Sequence, residues 1–426
     1  MISLPIFSNP EQLAARLKKR QELDRDLDVV KPILHRVRNE GDAALRQCTE
    51  EFDGLSLTEL TVSRENLAAA VAALDNDLRS AIQGAAENIR RFHAQQYPSR
   101  YSLTQPDGTE VAWDWRPLKR VGVYIPGGRY PLLSTVLMNI IPAQVAGVER
   151  IIVCTPPGPE GDPDTALLGV CGLLGVEEVY RVGGAQAVAA MAYGTDTIPA
   201  VDKITGPGNR YVTAAKYVVS ATVGIDMLAG PTEVVILADG SAEPSLVAAD
   251  LIAQAEHDPE AWCILVTDSI NLAEAVNVEL QEQSEDLSTR DMIAAALTGQ
   301  GFIYLGRVLE QCIEVVNRIA PEHLCLQVAA PDELVKQVQA GAIFIGSLTP
   351  VAWGDYWAGP NHTLPTAGQA RFRGPLSVMD FLVPFSVVNV SEQAAKASGD
   401  QVQLLARQEG LVGHARSIAL RKPSHE

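Results

Sequence analysis

The chain has 426 residues, of which 34 are Lys or Arg and 52 are Asp or Glu, giving a formal charge of -18 at pH 7. That balance repels phosphate polymers and anionic bilayers, so neither nucleic acid nor a membrane surface is an expected partner. Hydrophobic residues make up 47% and charged residues 20%, the composition of a folded protein, and the length suits two or three domains of about 150 residues.

Taken in chain order, residues 1–20 place Pro5, Pro10, Glu11 and four basic side chains where an export signal needs an unbroken apolar stretch. The best apolar run, at 167–176, reaches about ten residues, half of what crossing a bilayer needs. A cytoplasmic protein is expected. Residues 11–95 read as helical, with Leu67, Val71, Leu74, Leu78 and Ile82 recurring every three or four positions. From about Val121 the pattern changes to short apolar runs that end in glycine or proline and are followed by helix-length segments. The first block has runs at 121–125, 151–154 and 179–182 and one around Ile204; the second has runs at 234–237, 264–266, 302–305, 324–326 and 343–345. Parallel strands need helical crossovers, so two doubly wound parallel-sheet α/β units are predicted. After about Gly374 the rhythm fades into a short tail that must pack on its own body or on a second subunit.

Six cysteines (Cys48, Cys154, Cys171, Cys263, Cys312, Cys325) show no Cys-x-x-Cys spacing, which disfavours a thiolate zinc site and a disulfide framework. Gln254 and His257 stand three apart at the end of a predicted helix, on one face. Asp355, with His362 seven residues on, falls in a Gly- and Pro-dense loop after the last strong strand, and carboxyl strand ends are where α/β proteins bind ligands. With His414 from the tail, Gln254, His257 and Asp355 form an oxygen and nitrogen donor set suited to zinc. No fixed spacing links the four, and satisfied core or surface side chains fit the sequence as well. Glu322 and His323, adjacent at a helix-to-strand junction, can act as a proton-handling pair or be a solvated acid beside a half-buried imidazole. His35 and His93 read as surface residues and His425 as a frayed end. No Gly-x-Gly-x-x-Gly follows a strand, so a dinucleotide would bind differently from the standard fingerprint. Gly183-Gly184-Ala185-Gln186 and Gly206-Pro207-Gly208-Asn209 each stand between a strand and a helix, as phosphate-binding helix starts or as tight turns.

The series Tyr124-Ile125-Pro126-Gly127-Gly128, Val182 to Ala187, Gly206-Pro207-Gly208-Asn209, Ala229-Gly230-Pro231-Thr232-Glu233, Gln254-Ala255-Glu256-His257, Pro321-Glu322-His323-Leu324 and Gly354-Asp355-Tyr356 through Asn361-His362 resembles the histidinol dehydrogenase family. Order and spacing match from roughly residue 25 to the C-terminus. The resemblance implies an NAD-linked oxidation of L-histidinol through L-histidinal to L-histidine, the last steps of histidine biosynthesis, by a homodimer with one zinc per subunit. It implies zinc ligands Gln254, His257, Asp355 and His414, and an acid–base pair Glu322 and His323. Tyr124, Gln186 and Asn209 fall at NAD-contacting positions; Thr232, His362 and Glu409, with His323 and the metal ligands, fall at substrate-contacting ones. The implied organisation is an N-terminal arm (1–24), a first incomplete Rossmann-like domain (25–120 plus 232–374) with the catalytic residues, a second, NAD-contacting one (121–231), and a tail (375–426) that completes the partner's site.

Three departures stand out: Arg129-Tyr130-Pro131-Leu132-Leu133-Ser134 where small residues and Tyr-Pro-Ser-Ser are common, Thr232 for serine, and Val383-Pro384 for a basic pair. Relatives on this scaffold oxidise other small polar alcohols such as sulfonated diols, which makes a paralogous dehydrogenase the alternative, with a non-catalytic binding protein as the contrasting class. Glu409 and His414 together favour histidinol.

Overall fold

The structure is a computed structural model that describes residues 2–18, 24–127 and 130–421. Gly128 and Arg129 of the Pro126-Gly127-Gly128-Arg129 segment, and His425, lie outside the described residues. The strands are β1 (Ile6–Phe7), β2 (Tyr101–Thr104), β3 (Glu110–Pro117), β4 (Arg120–Tyr124), β5 (Arg150–Thr155), β6 (Glu178–Arg181), β7 (Lys203–Thr205), β8 (Gly224–Ile225), β9 (Glu233–Ala238), β10 (Trp262–Thr267), β11 (Phe302–Leu305), β12 (His323–Gln327), β13 (Ala342–Ile345) and β14 (Leu382–Asn389). Each apolar run of the two βα blocks coincides with one of them to within a residue, while the longer run at 167–176 lies mostly in the helix Thr165–Leu173.

Two sheets are parallel, as the βα alternation requires. One has six strands in the order β1-β11-β10-β9-β12-β13, and the other five in the order β6-β5-β4-β7-β8. Strands β9 and β10 are buried at every position, because helices cover both faces of such a sheet and leave no polar side. In the five-stranded sheet the chain runs outward from β4 through β5 to β6 and then crosses back to β7. That reversal between β4 and β7 opens a crevice at the carboxyl ends of the strands.

The helical lead-in packs elsewhere than the grouping of 25–120 with 232–374 anticipated. Val30, Leu34 and Val37 of the helix Asp24–Glu40 sit in one core with Tyr124, Ile152 and Ile204. Leu67, Leu74, Ile82 and Ile89 sit in another with Val121, Val123 and Val153. Both are cores of the five-stranded sheet; an amphipathic face says that a helix is covered, not by which sheet. The N-terminal arm is likewise part of the body. Strand β1 pairs in parallel with β11, and Leu13 is fully buried among Val235, Ile264 and Phe302.

A third sheet was not foreseen. It is antiparallel, β14-β3-β2, with β14 registered on β3 from Leu382↔Pro117 to Asn389↔Glu110. The first part of the 375–426 segment is therefore a sheet strand. The helix Glu392–Gln408 follows, its Ser398 hydroxyl donating to Asp107 in the β2–β3 turn, and the helix Val412–Ala419 packs beside it.

Because Leu13 fills the core of the six-stranded sheet, Leu13→Ala should lower unfolding free energy by about 2–5 kcal/mol, measured by denaturant titration. A loss below about 1 kcal/mol would show that the arm is peripheral.

Candidate active site

Parallel pairing sets the centre of the site. Register His323↔Val234 between β12 and β9 brings Glu322, just before β12, level with Glu233, the first residue of β9. The Glu322 Oε2 accepts from the Thr232 hydroxyl (2.6 Å) and from the Glu233 N–H (2.8 Å). His323 Nδ1 lies 3.0 Å from the Glu233 carbonyl oxygen, to which it donates, since a carbonyl only accepts. That bond fixes the tautomer and leaves His323 Nε2 as the basic nitrogen. Nε2 is buried and has no hydrogen-bond partner among the described residues. The Glu322 and His323 side chains approach to 3.6 Å and are nearly sealed from solvent. The sequence alternative of a solvated acid is therefore set aside.

Around this pair stand the residues expected as ligands. Gln254 closes the buried face of the helix Pro244–Ala255, and its Nε2 donates to Thr232 Oγ1 at 2.9 Å, which leaves Oε1 for a ligand. His257, one turn on, is exposed, its N–H bonded to the Gln254 carbonyl. Asp355 lies on a short helix, Val351–Tyr356, and not in a loop as expected; His362 Nδ1 sits 3.6 Å from its Oδ1.

Burial pushes the Glu322 carboxyl above its ordinary range; the charge of His323 and the Thr232 hydrogen bond only partly offset this, and Asp355 adds to it. Asp355 goes the other way. Burial alone would raise it, but the contact from His362 and the charges of His362, His323 and His257 hold it below the usual carboxylate range. Those couplings put His257, Asp355, Glu322 and His323 in one electrostatic neighbourhood. His414 and Glu409 do not join it: both are exposed, His414 on the helix Val412–Ala419 and Glu409 at the end of Glu392–Gln408. Among the described residues no three His, Cys, Asp or Glu side chains form a metal-holding group. Near the pair one chain offers the Gln254 amide, the His257 imidazole and the Asp355 carboxylate, oxygen and nitrogen donors of the types zinc accepts.

The crevice of the five-stranded sheet holds the other expected residues. It is a cleft of about 1020 Å³ lined by Tyr124, Thr155, Gly184, Gln186 and Asn209. Gly184 opens the helix Gly184–Tyr193 with φ +63° and donates its N–H to the Tyr124 hydroxyl. Burial keeps that phenol neutral, pushed up to about 12. Asn209 caps the helix Arg210–Val219, its Oδ1 accepting from the N–H groups of Tyr211 and Val212. Both glycine clusters are thus turns that lead directly into helix starts. A second cleft of about 760 Å³ adjoins; Asn209 borders both, and Thr232, Ala367 and Arg373 line the second.

Two site features escaped the sequence reading. Glu233 binds both members of the acid–imidazole pair through its backbone, while its buried carboxylate accepts from the Ala367 N–H at 2.6 Å; the only signal was a charge opening an otherwise apolar strand. His93, read as a surface residue, is fully buried, with Nδ1 on the Ile89 carbonyl and Nε2 3.5 Å from Asn361. The position also belongs to the apolar stripe of its helix. His35 is exposed as expected, and all six cysteines are buried.

A cleft at a strand-order reversal in one parallel sheet and a sealed carboxyl–imidazole pair at the other are the features of an α/β enzyme with two parallel sheets. Comparison with known proteins narrows it. The histidinol dehydrogenase family model matches residues 17–422. A histidinol dehydrogenase of Geobacillus kaustophilus is 49% identical over 390 residues, 91% of this chain and 92% of that protein. One of Bacillus subtilis is 44% identical over 414 residues, covering 96% and 97%. The crystal structure of histidinol dehydrogenase from Elizabethkingia anophelis superposes with a TM-score of 0.92 at 36% identity, covering 99% of this chain and 98% of that one. The chain belongs to the histidinol dehydrogenase family.

The raised Glu322 carboxyl gives a signed expectation. Its folded pKa lies above the unfolded value of about 4.3, so the stability it contributes is full below that value and is lost as pH rises through the folded pKa. In chelator-treated protein, Glu322→Gln should remove this decline, measured as melting temperature against pH; parallel curves for variant and parent would contradict it.

Proposed function

We propose that the protein oxidises L-histidinol through L-histidinal to L-histidine, reducing two NAD per substrate. The observation that carries this is His323, held by the Glu233 carbonyl with a buried, unpartnered Nε2 beside Glu322. In the first oxidation the hydroxyl proton of the substrate passes to His323 Nε2 as the C–H hydride departs. In the second, Glu322 takes a proton from the water that adds to the aldehyde while the aldehyde oxygen takes back the proton left on His323; the hydrate then loses hydride to NAD as His323 Nε2 takes a proton from one of its hydroxyls, leaving the carboxylic acid. Bound NAD supplies the hydride acceptor in both steps. The hydrate route needs no thiol nucleophile, in keeping with six buried cysteines.

NAD belongs in the 1020 Å³ cleft, where the helices Gly184–Tyr193 and Arg210–Val219 begin and turn their positive dipole ends to the pyrophosphate. Tyr124, Gln186 and Asn209 contact it. Zinc would be held by Gln254, His257 and Asp355 with His414 of a partner subunit, and would orient the amino and imidazole nitrogens of the substrate. Thr232, His362, His323 and the partner's Glu409 complete the substrate site.

The homodimer is supported by the tail. Leu404, Leu405, Val412 and Leu420 are 67–75% exposed on the last two helices, apolar side chains that a second subunit would cover, and His414 is exposed on the second of those helices. No helix among the described residues is long and apolar enough to cross a membrane, which fits a cytoplasmic enzyme.

The test is stoichiometric. Two NADH per L-histidinol are expected, abolished by chelation and restored by zinc. Glu322→Gln and His323→Asn should lower kcat by about 10²–10⁴-fold with KM nearly unchanged. Turnover of a sulfonated diol in place of histidinol would favour a paralogous activity; variants with unchanged kcat would point to a non-catalytic binding protein.

A further inference from the structure

Behind the turn that leads to Asn209 lies a buried ion pair that no step above uses. Lys216, on the helix Arg210–Val219, and Asp226, just after β8, have side chains 4% and 1% exposed. Lys216 Nζ donates to Asp226 Oδ1 at 2.6 Å and to the Gly206 carbonyl at 2.5 Å. Asp226 Oδ2 accepts from the Gly206 N–H at 2.8 Å, and Oδ1 also accepts from the Met227 N–H at 2.6 Å. Both polar groups of Gly206 are thus tied to one pair of opposite charges.

A buried ion pair is a weak source of stability, since apolar side chains of similar volume commonly do as well. What such a pair adds is direction: a carboxylate and an ammonium fix the donor and acceptor they bind. The residue they fix is under unusual constraint. Gly206 has φ +108°, and a Cβ there would lie 2.0 Å from the Tyr124 carbonyl oxygen. Its backbone is pressed against the floor of the larger cleft. Three residues on, Asn209 borders both clefts and caps the helix whose first turn faces the larger one.

We propose that Lys216 and Asp226 are positioning residues for the nicotinamide cofactor: their ion pair locks the turn Gly206-Pro207-Gly208-Asn209 against Tyr124, so that Asn209 and the following helix N-terminus stand preformed for the dinucleotide. This rests on the larger cleft being the NAD site. A preformed turn spares the ordering cost that a loose one would exact on binding, so the pair acts on cofactor affinity more than on the histidinol site.

The experiment compares steady-state kinetics and melting temperature of the zinc-loaded enzyme with those of Lys216→Met/Asp226→Asn, which removes both charges at similar volume and leaves no lone buried ion. The KM for NAD is expected to rise about tenfold or more while the KM for histidinol stays within about twofold. An NAD KM within about twofold of the parent, in a folded variant, overturns the proposal, because a purely structural pair would move melting temperature alone. If the double variant does not fold, Asp226→Asn alone, which keeps the shape and removes the carboxylate from the pair, carries the test: it too should raise the NAD KM, and a folded Asp226→Asn protein with an unmoved NAD KM overturns the proposal. Gln186→Ala separates the proposal from its premise. If it leaves the NAD KM unmoved, the cleft is not the cofactor site and both fall; if it raises the KM and the other variants do not, only the role of the ion pair falls.

Discussion

The site depends on one junction, where the Glu322 carboxylate lies between the Thr232 hydroxyl and the Glu233 N–H. Parallel pairing of β12 with β9 makes it possible. A carboxyl group sealed from water must find donors or lose its charge, and here two consecutive residues at the start of one strand supply them. The same short stretch turns the neighbouring imidazole, since the Glu233 carbonyl takes the Nδ1 proton of His323. Gln254 enters through Thr232, and the loop from Asn361 to Ala367 is tied in by the Glu233 carboxylate and by Thr366, whose hydroxyl accepts from the Gly230 N–H.

The two halves of the site use opposite ends of their sheets. In the five-stranded sheet the cleft lies at the carboxyl ends, where helices begin and present N–H groups suited to a phosphate. In the six-stranded sheet the acid–imidazole pair lies at the amino ends, where the helix Pro244–Ala255 finishes and delivers Gln254 and His257. A helix C-terminus offers no phosphate cradle, but its negative dipole end favours a cation. The backbone at one sheet is thus electrostatically suited to an anionic group and that at the other to a cation.

Much of this could be read in the sequence. Buried parallel strands are continuous apolar runs closed by glycine or proline, and all of those were found where the runs stood. The antiparallel sheet was not legible: β2 is exposed throughout, most of β14 faces solvent, and β3 is nowhere fully buried, so no apolar run marks them. Strand β1 has two residues, too few for any period. The packing of the lead-in was hidden because Leu67 or Leu74 on a helical stripe records burial and nothing about the partner. Residue types and order gave Glu322 and His323. They could not give Glu233 or Lys216, whose parts come from backbone groups and burial contributed by distant segments. Gln254 reaches the pair through Thr232, and His257 and Asp355 feel its charges, whereas His414 stands exposed on the tail.

The position of His414 makes a subunit-mixing experiment the most direct test of the shared zinc site. Inactive His414→Asn protein and inactive Gln254→Ala protein are unfolded together, refolded with zinc and assayed for histidinol oxidation. If each site takes its tail from the partner, half of the dimers are mixed, and each mixed dimer carries one intact site, so activity should return to about a quarter of the parent's. Activity that stays at the level of the separate variants, in protein shown to have exchanged subunits, would contradict a site completed by the partner's tail.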